Sequence, residues 1–477
     1  MLVPRMDRRA FLLGTTGALG LSACQTRSPH RAAAPPNILL ITADDLGPHL
    51  GCYGDSTIAT PHLDRLAGEG VRFDRAYVTQ ASCSPSRSSI FTGLYPHQNG
   101  QIGLSHVGAY EMRSGLPTLP ALLSETGYRT GVIGKIHVAP ESAVPFGWRS
   151  TLKVRETLSV SKVAEEAARF LRERDRAPFF LMVNFMDPHR PFTPQVDGVP
   201  ERPVTGDEVT PFAFLGLDTP RIREEVAGYY NSVARLDAGV GLLFEELAQS
   251  GHSRDTIVMV LGDHGPPFTR SKTTCYEAGL HVPLLVRWPR VARPGLTSDA
   301  LVSTVDILPT LLAAAGVDAP ATLPGESLVP LLRGRRTHWR TTLCAEFNSH
   351  GVSHFFPRRS IRDDRYKLIL NLLPDRPNPI RAVDGCAAWA ASRDSTMVDE
   401  DVRRAYDTYH RPPAVELYDL IADPHEFHNL AGSEEHAGVT QGLMRQLHEW
   451  RRRTDDPYLD PARLSAAARQ SPPAAVR

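Results

Sequence analysis

Six short segments of this chain carry residue types that could do chemistry together. They are Asp44-Asp45, Cys83-Ser-Pro85-Ser-Arg87, Gly134-Lys135-Ile136-His137, Asp187-Pro188-His189-Arg190, Asp263-His264-Gly265 and Ser271-Lys272-Thr273. Carboxylate oxygens favour a hard divalent ion, Ca2+ or Mg2+. One Asp pair alone is also ordinary turn chemistry, because Asp caps helices and occupies turns. Asp44-Asp45 and Asp263-His264 after equivalent strands, with a third reactive group between them, point to a single cation. His137 and His189 could move protons. The lysines stand out by composition: the chain has 48 Arg and five Lys, yet Lys occupies positions 135 and 272. An ammonium is a compact point charge and a guanidinium a planar fork, so a site crowded around one anionic oxygen calls for Lys. A lone Cys is most often a buried structural thiol, and Cys83 in isolation says no more than that.

The elements that must position these groups follow from the hydrophobic pattern. From Asn37 onward apolar runs alternate with amphipathic helical stretches, as in an α/β domain with a largely parallel, buried sheet. Strands are expected at 37–42, 131–133, 179–184, 256–261 and 282–286, and helices at 162–174, 222–249 and 305–315. Thr60-Pro61 is expected to cap and start another helix. Asp44-Asp45 and Asp263-His264 then both fall at carboxyl ends of strands, where open α/β sheets place their ligand sites. The alternation ends near 334–338. Beyond it, 341–347, 365–370 and 416–420 read as strands of a smaller α+β domain with an antiparallel sheet, closed by a helix at 439–452. The implied organisation is a signal at 1–24, a tether at 25–36, a catalytic domain at 37–335, a C-terminal subdomain at 336–461 and a disordered tail at 462–477. His350 lies in a loop of the second domain, with His354, Arg358 and Arg359 nearby, and this loop is expected to reach the substrate.

Formal net charge is zero over 477 residues, and about −2 once the first 24 are removed. No broad basic field therefore argues for nucleic acid or an anionic membrane as partner. An anionic substrate would need a local basic pocket. The six cysteines, at 24, 52, 83, 275, 344 and 386, are scattered and form no CxxC pair. Arg5, Arg8 and Arg9 precede an apolar run at 11–23 that is too short to span a bilayer. Asp7-Arg8-Arg9-Ala10-Phe11-Leu12 resembles a bacterial twin-arginine export signal, and Leu21-Ser22-Ala23-Cys24 resembles a lipobox that would leave Cys24 lipidated. A periplasmic or cell-surface location is the expectation, with the membrane reached only through that anchor.

The frame Cys83-Ser-Pro85-Ser-Arg87, followed by Thr92-Gly93, resembles the signature of the type I sulfatases of the alkaline-phosphatase-like superfamily. The resemblance covers about 37 to 461 and is also carried by Ile58-Ala-Thr-Pro-His-Leu-Asp64, Pro96-His97-Gln98-Asn99-Gly100, Glu416-Leu-Tyr-Asp419 and Asp423-Pro-His-Glu426. It is greatest to the N-sulfoglucosamine sulfohydrolases (heparan N-sulfatases) and their bacterial relatives. It implies a large mixed, mostly parallel sheet sandwiched by helices. It also implies that a formylglycine-generating maturation enzyme oxidises Cys83 to Cα-formylglycine. By the same resemblance Asp44, Asp45, Asp263, His264 and the modified Cys83 would bind Ca2+, with Mg2+ as the alternative. Arg87 would steady that site, and Lys135 and Lys272 would bind the sulfate oxygens. His137 would hold the nucleophile's hydroxyl, His189 would lie near the leaving group, and Asp187 and His350 would touch substrate. His264 departs from the Asn expected in sulfamidases, and an imidazole is a softer ligand.

In this family one hydroxyl of the hydrated aldehyde displaces the alcohol or amine from sulfur, and the other, deprotonated through His137, expels sulfate. The expected activity is sulfate release from a sulfated carbohydrate, N-sulfoglucosamine first. An O-sulfatase on aryl or other carbohydrate sulfates, a phosphonate or phosphodiester hydrolase, and a catalytically dead surface glycan-binding lipoprotein are the alternatives. The family often pairs, so a homodimer is open, although the sequence contains no dedicated dimer motif.

Overall fold

The apolar run at the start of the catalytic region forms β1 (Asn37–Ala43), the middle of a nine-stranded sheet. Leu39 and Ile41 face one hydrophobic layer and Ile38 and Leu40 the other. A strand buried on both faces is apolar without alternation, which is the pattern its sequence shows. The computed structural model describes residues 35–470 except 108–109, 174–175, 336–337, 375, 380–385 and 395–397. The expected signal, the Cys24 lipobox, nearly all of the tether and residues 471–477 therefore lie outside the described residues.

The other strands of this sheet are β2 (Val71–Tyr77), β3 (Arg129–Gly134), β4 (Trp148–Arg149), β5 (Phe179–Phe185), β6 (Thr256–Gly262), β7 (His281–Arg287), β8 (Leu296–Ser298) and β9 (Val302–Ser303). Their order is β4-β3-β5-β1-β6-β7-β2-β8, with β9 paired to β2. β7 runs antiparallel to β6 and β2, and the other pairings are parallel. The sheet is thus mixed and mostly parallel, as expected. The register aligns the ends of four neighbours: Ala43 lies opposite Phe185 and Gly262, and Gly134 opposite Asn184. The segments after β1, β3, β5 and β6 therefore leave from one sheet edge. β2 points the same way, so the chain that continues to Cys83 arrives there too.

Expected helices form with small shifts, as Val160–Leu171, Pro220–Gln249 and Ile307–Ala315. Pro61–Glu69 starts where expected, but Thr60 does not cap it. Its hydroxyl donates to Asp64 Oδ1 at 3.0 Å and accepts from the Gly51 N–H at 2.9 Å, tying a loop to the helix instead.

The second sheet is antiparallel, in the order β10 (Leu343–Phe347), β11 (Arg358–Arg362), β12 (Tyr366–Asn371) and β13 (Val415–Asp419). β11 is absent from the sequence expectation because Arg-Arg-Ser-Ile-Arg looks solvated, yet all five residues are buried. The helix Ala437–Arg453 packs behind this sheet. The start of the expected disordered tail is instead the helix Pro461–Gln470, where the Ala468 carbonyl accepts from Arg376 at 3.1 Å. Both sheets fall within one compact unit that begins at Pro35. The described cysteines, 52, 83, 275, 344 and 386, are free thiols. No described helix is long and apolar enough to cross a membrane.

Candidate active site

Asp44 and Asp45 follow β1 and are fully buried. Asp45 takes the left-handed backbone, φ 69°, a region that Asp enters more readily than most side chains. The turn sends its N–H to Asp263 Oδ1 at 2.9 Å. Asp263, just past β6, is also fully buried. Gly265 lets this loop close: a Cβ there would stand 1.9 Å from the Ala278 carbonyl oxygen. Ligand atoms of Asp44, Cys83, Asp263 and His264 lie within 4.8 Å of one another, as do those of Asp44, Asp45, Cys83 and His189. Asp44 Oδ1 is buried without a hydrogen-bond donor. Buried polar atoms in native proteins have partners, so converging carboxylates with such an oxygen fit a bound cation.

The electrostatics agree. Burial, then repulsion from Asp44, pushes the Asp263 carboxyl up to about 7. Burial also raises Asp45 against the pull of Lys272. At Asp44 burial and Cys83 push upward, but Lys135, His189 and Arg87 prevail and hold the carboxyl below its usual range. His264 Nδ1 bonds to the Gly265 carbonyl at 2.9 Å, which turns Nε2 toward Asp45 Oδ1 at 3.0 Å and Cys83 Sγ at 3.3 Å. Burial opposes its charge, but Asp263 and Asp45 raise it to about 10. Ligation of a metal by His264 requires loss of that proton.

Cys83 opens the helix Cys83–Thr92, whose ten residues are all buried. A polar helix survives there because its hydroxyls bond to its own backbone: Ser88 and Ser89 both donate to the Pro85 carbonyl, at 2.7 and 3.2 Å. The helix N-terminus favours negative charge. Burial raises the Cys83 thiol, but Lys135, Lys272 and His264 outweigh it and hold the thiol well below its usual range. Arg87, one turn along on the same face, donates Nε to Asp263 Oδ2 at 2.8 Å. Its Nη1 reaches the Lys135 carbonyl at 2.8 Å, Asn184 Oδ1 at 3.2 Å and Thr42 Oγ1 at 3.3 Å. Asn184 and Thr42 were missed in the sequence, although a polar residue near the end of a buried apolar strand was the available signal.

Lys135 pairs with Asp44 Oδ2, and Lys272 Nζ lies 3.1 Å from Asp45 Oδ1. His189 Nε2 stands 3.9 Å from Asp45 Oδ2. Burial would lower His189, but Asp45 and Asp44 raise it to about 9. A cavity of about 360 Å³ is walled by Cys83, Lys135, His137, His189, Lys272 and His350, together with Leu104 and His106. His350 is tied to the residue before Cys83, its Nδ1 lying 3.0 Å from Ser82 Oγ. His106 carried no signal in the sequence, being one histidine in a Gly-rich loop.

Three expectations are corrected. Asp187 is buried with both oxygens held by Arg235, at 2.7 Å each, so it anchors the loop bearing His189 and does not touch substrate. Arg359 is fully buried and held by Asp456 and Asn348, so its guanidinium is engaged inside the protein. Arg358 is likewise buried, with its guanidinium over the Phe356 ring.

A family model described as "Sulfatase" matches residues 36–317, and one described as "N-sulphoglucosamine sulphohydrolase, C-terminal" matches 262–374. The chain is 36% identical over 468 residues to the N-sulphoglucosamine sulphohydrolase of Homo sapiens, covering 90% of this chain and 92% of that protein. It is 30% identical over 433 residues to an ulvan-active sulfatase of Formosa agariphila, covering 88% of this chain and 81% of that one. A solved structure of a protein in complex with its substrate D-glucosamine-2-N,6-O-disulfate matches with a TM-score of 0.66 at 23% identity, over 88% of this chain and 98% of that one. That likeness supports the fold.

Proposed function

The chain belongs to the sulfatase family, and on that premise we propose that it releases sulfate from N-sulfated glucosamine, using a formylglycine made from Cys83 by a maturation enzyme. The observation that carries this reading is the convergence of three buried carboxylates and two lysines on Cys83. The identity to the human protein over nearly the whole chain, together with the C-terminal family match, favours the N-sulfated sugar. Sulfatases imply a formylglycine and a divalent metal, and Asp44, Asp45, Asp263 and His264 would hold the metal. We assign Ca2+ over Mg2+, because a loop-built carboxylate cluster suits the ion with the looser geometry.

The metal and the formylglycine together supply an activated hydroxyl. Everything else falls to the chain's own residues. Lys135 and Lys272 hold the sulfate oxygens and neutralise charge that would repel an incoming hydroxyl. His189, kept protonated by Asp45 and Asp44, donates from Nε2 to the leaving nitrogen. His137 takes the hydroxyl proton. Arg87 fixes Asp263 and the Lys135 loop in one geometry, and His350 borders the sugar.

Peptide mass spectrometry across Cys83, combined with sulfate release from N-sulfoglucosamine and from 4-nitrophenyl sulfate, tests the proposal. Formylglycine with N-sulfoglucosamine turnover supports it. Turnover of aryl or 6-O-sulfates alone makes the enzyme an O-sulfatase, and glycan binding without turnover by converted protein makes it a binding lipoprotein. The likeness of Arg8-Arg9 to a twin-arginine signal and of Cys24 to a lipobox cysteine supports a periplasmic or cell-surface location for the proposed enzyme. Fractionation of cells carrying wild type, Arg8→Lys with Arg9→Lys, or Cys24→Ala tests that location, and light scattering tests the homodimer.

A further inference from the structure

His137 has two ring nitrogens and a different neighbour for each. Nε2 lies 2.8 Å from Nδ1 of His106, and the two rings meet edge to edge with centroids 5.1 Å apart and planes 17° from parallel. Nδ1 is buried with no hydrogen-bond partner of good geometry, and the ring lies in side-chain hydrogen-bonding contact with Cys83. The backbone of His137 is in the left-handed region, φ 59°, which His enters more often than most residues. That fixes where the ring hangs, but not which nitrogen carries the proton.

His106 sits on the one-turn helix Ser105–Val107 and is exposed. The turn is tied to the nucleophile's helix, because the Ser105 N–H donates to Ser84 Oγ at 3.1 Å and Ser84 directly follows Cys83. The Leu104 N–H also donates to the His350 carbonyl at 2.9 Å. His106 therefore keeps a fixed place relative to both Cys83 and His137.

A neutral imidazole has one N–H and one bare nitrogen. For Nδ1 of His137 to receive a proton it must be bare, so the hydrogen sits on Nε2 and Nδ1 of His106 accepts it. We propose that His106 is a positioning residue of the sulfatase reaction: it fixes the tautomer and ring orientation of His137, leaving His137 Nδ1 free to take the hydroxyl proton. This is the logic of a base oriented by a third group, with an imidazole in the orienting place. The substitution has a physical reason. A carboxylate there would set a further negative charge in the cavity that must admit a sulfate, and a neutral imidazole orients without that repulsion.

The inference rests on the proposed role of His137, so its test includes a readout independent of turnover. Protein carrying isotope-labelled histidine, with Cys83 left unconverted, is compared with its His106→Ala variant by long-range proton–nitrogen correlation spectra, using His137→Gln to assign the signal. His137 is expected as the Nε2–H tautomer in wild type and as a mixture in His106→Ala. In matured enzyme acting on N-sulfoglucosamine, His106→Ala should lose about tenfold or more in kcat, part of the roughly 10²–10⁴-fold a placed base supplies, with KM within about threefold. His106→Asn, whose amide oxygen can accept from Nε2–H, should recover most of it. An unchanged His137 tautomer in His106→Ala, a loss confined to KM, or a loss that Asn does not repair would overturn the proposal. If matured wild type ignores N-sulfoglucosamine while His106→Ala still disturbs the tautomer, the substrate assignment fails and the positioning role stands.

Discussion

Arg87 donates Nε to Asp263 Oδ2 at 2.8 Å and Nη1 to the Lys135 carbonyl at the same distance, so one guanidinium couples a candidate metal carboxylate to the loop that would hold sulfate. Lys at this position keeps the charge but cannot span both partners. Arg87→Lys is expected to weaken metal binding by roughly 10–100-fold, the usual effect of losing a group that orients a ligand. Arg87→Ala leaves Asp263 buried and unpaired and should destabilise the fold by about 3–5 kcal/mol. Calorimetric titration with Ca2+ and denaturant melts check the two effects, and wild-type affinity in Arg87→Lys would contradict the coupling.

Metal binding should strengthen as pH rises toward neutrality. Asp263 is pushed up to about 7, chiefly by burial and then by Asp44, so the metal-free site holds a proton that the ion must displace. The same shift has a stability sign. A folded carboxyl raised above its ordinary value favours folding at low pH, and that contribution is lost as pH rises through about 7. Metal-free wild type should therefore lose Tm relative to Asp263→Asn as pH rises from 3.8 to about 7, and Ca2+ should restore it. Thermal melts in chelator and in Ca2+ across that interval measure this. A rising Tm difference in chelator would reverse the assignment.

Much of the site was legible because its residues sit at ends of apolar strands. Asp44, Lys135, His189 and Asp263 each follow a run whose buried character is plain from sequence, and parallel neighbours deliver their loops to one edge. What was illegible depends on tertiary pairing. Asp187 looked like a substrate contact because nothing in its segment announces Arg235, which lies 48 residues away on the helix Pro220–Gln249. β11 was hidden because burial of three arginines makes sense only with partners elsewhere, such as Asp456 for Arg359 and Glu277 for Arg362. His106 was invisible for the same reason: its meaning is its distance to His137.

Asp456 should control stability without touching catalysis. It accepts from Arg359 at 2.8 and 2.9 Å and from Arg451 at 2.6 Å, and Arg359 in turn lies 3.5 Å from Glu346, which pairs with His97. That buried chain joins the large sheet's side to β10 and β11. Asp456→Asn leaves two guanidiniums without their carboxylate and should cost about 3–5 kcal/mol. Burial pushes the Asp456 carboxyl up, but Arg359 and Arg451 hold it below the ordinary Asp value of 3.8. Its contribution is therefore present above 3.8 and lost as pH falls through the depressed value. Denaturant melts of the two proteins should differ at neutral pH and converge in strong acid, with kcat per folded molecule unchanged.

His189 gives a prediction that depends on the leaving group. A sulfamate nitrogen leaves poorly unless it gains a proton, whereas a nitrophenolate leaves without one. His189 can supply that proton because Asp45 and Asp44 overcome burial and raise it to about 9, and because its Nε2 faces the cavity side at 3.9 Å from Asp45 Oδ2. His189→Gln keeps a polar side chain of similar reach but removes the transferable proton. It should cut N-sulfoglucosamine turnover by roughly 10²–10⁴-fold, the usual share of a placed general acid, while 4-nitrophenyl sulfate slows far less. In wild type the acid form is lost as pH rises through the His189 titration, so kcat for the sulfamate should show a falling alkaline limb, and the limb should vanish in the variant. Steady-state rates on both substrates across pH decide the matter. Equal losses on the two leaving groups would assign His189 to binding and not to proton transfer.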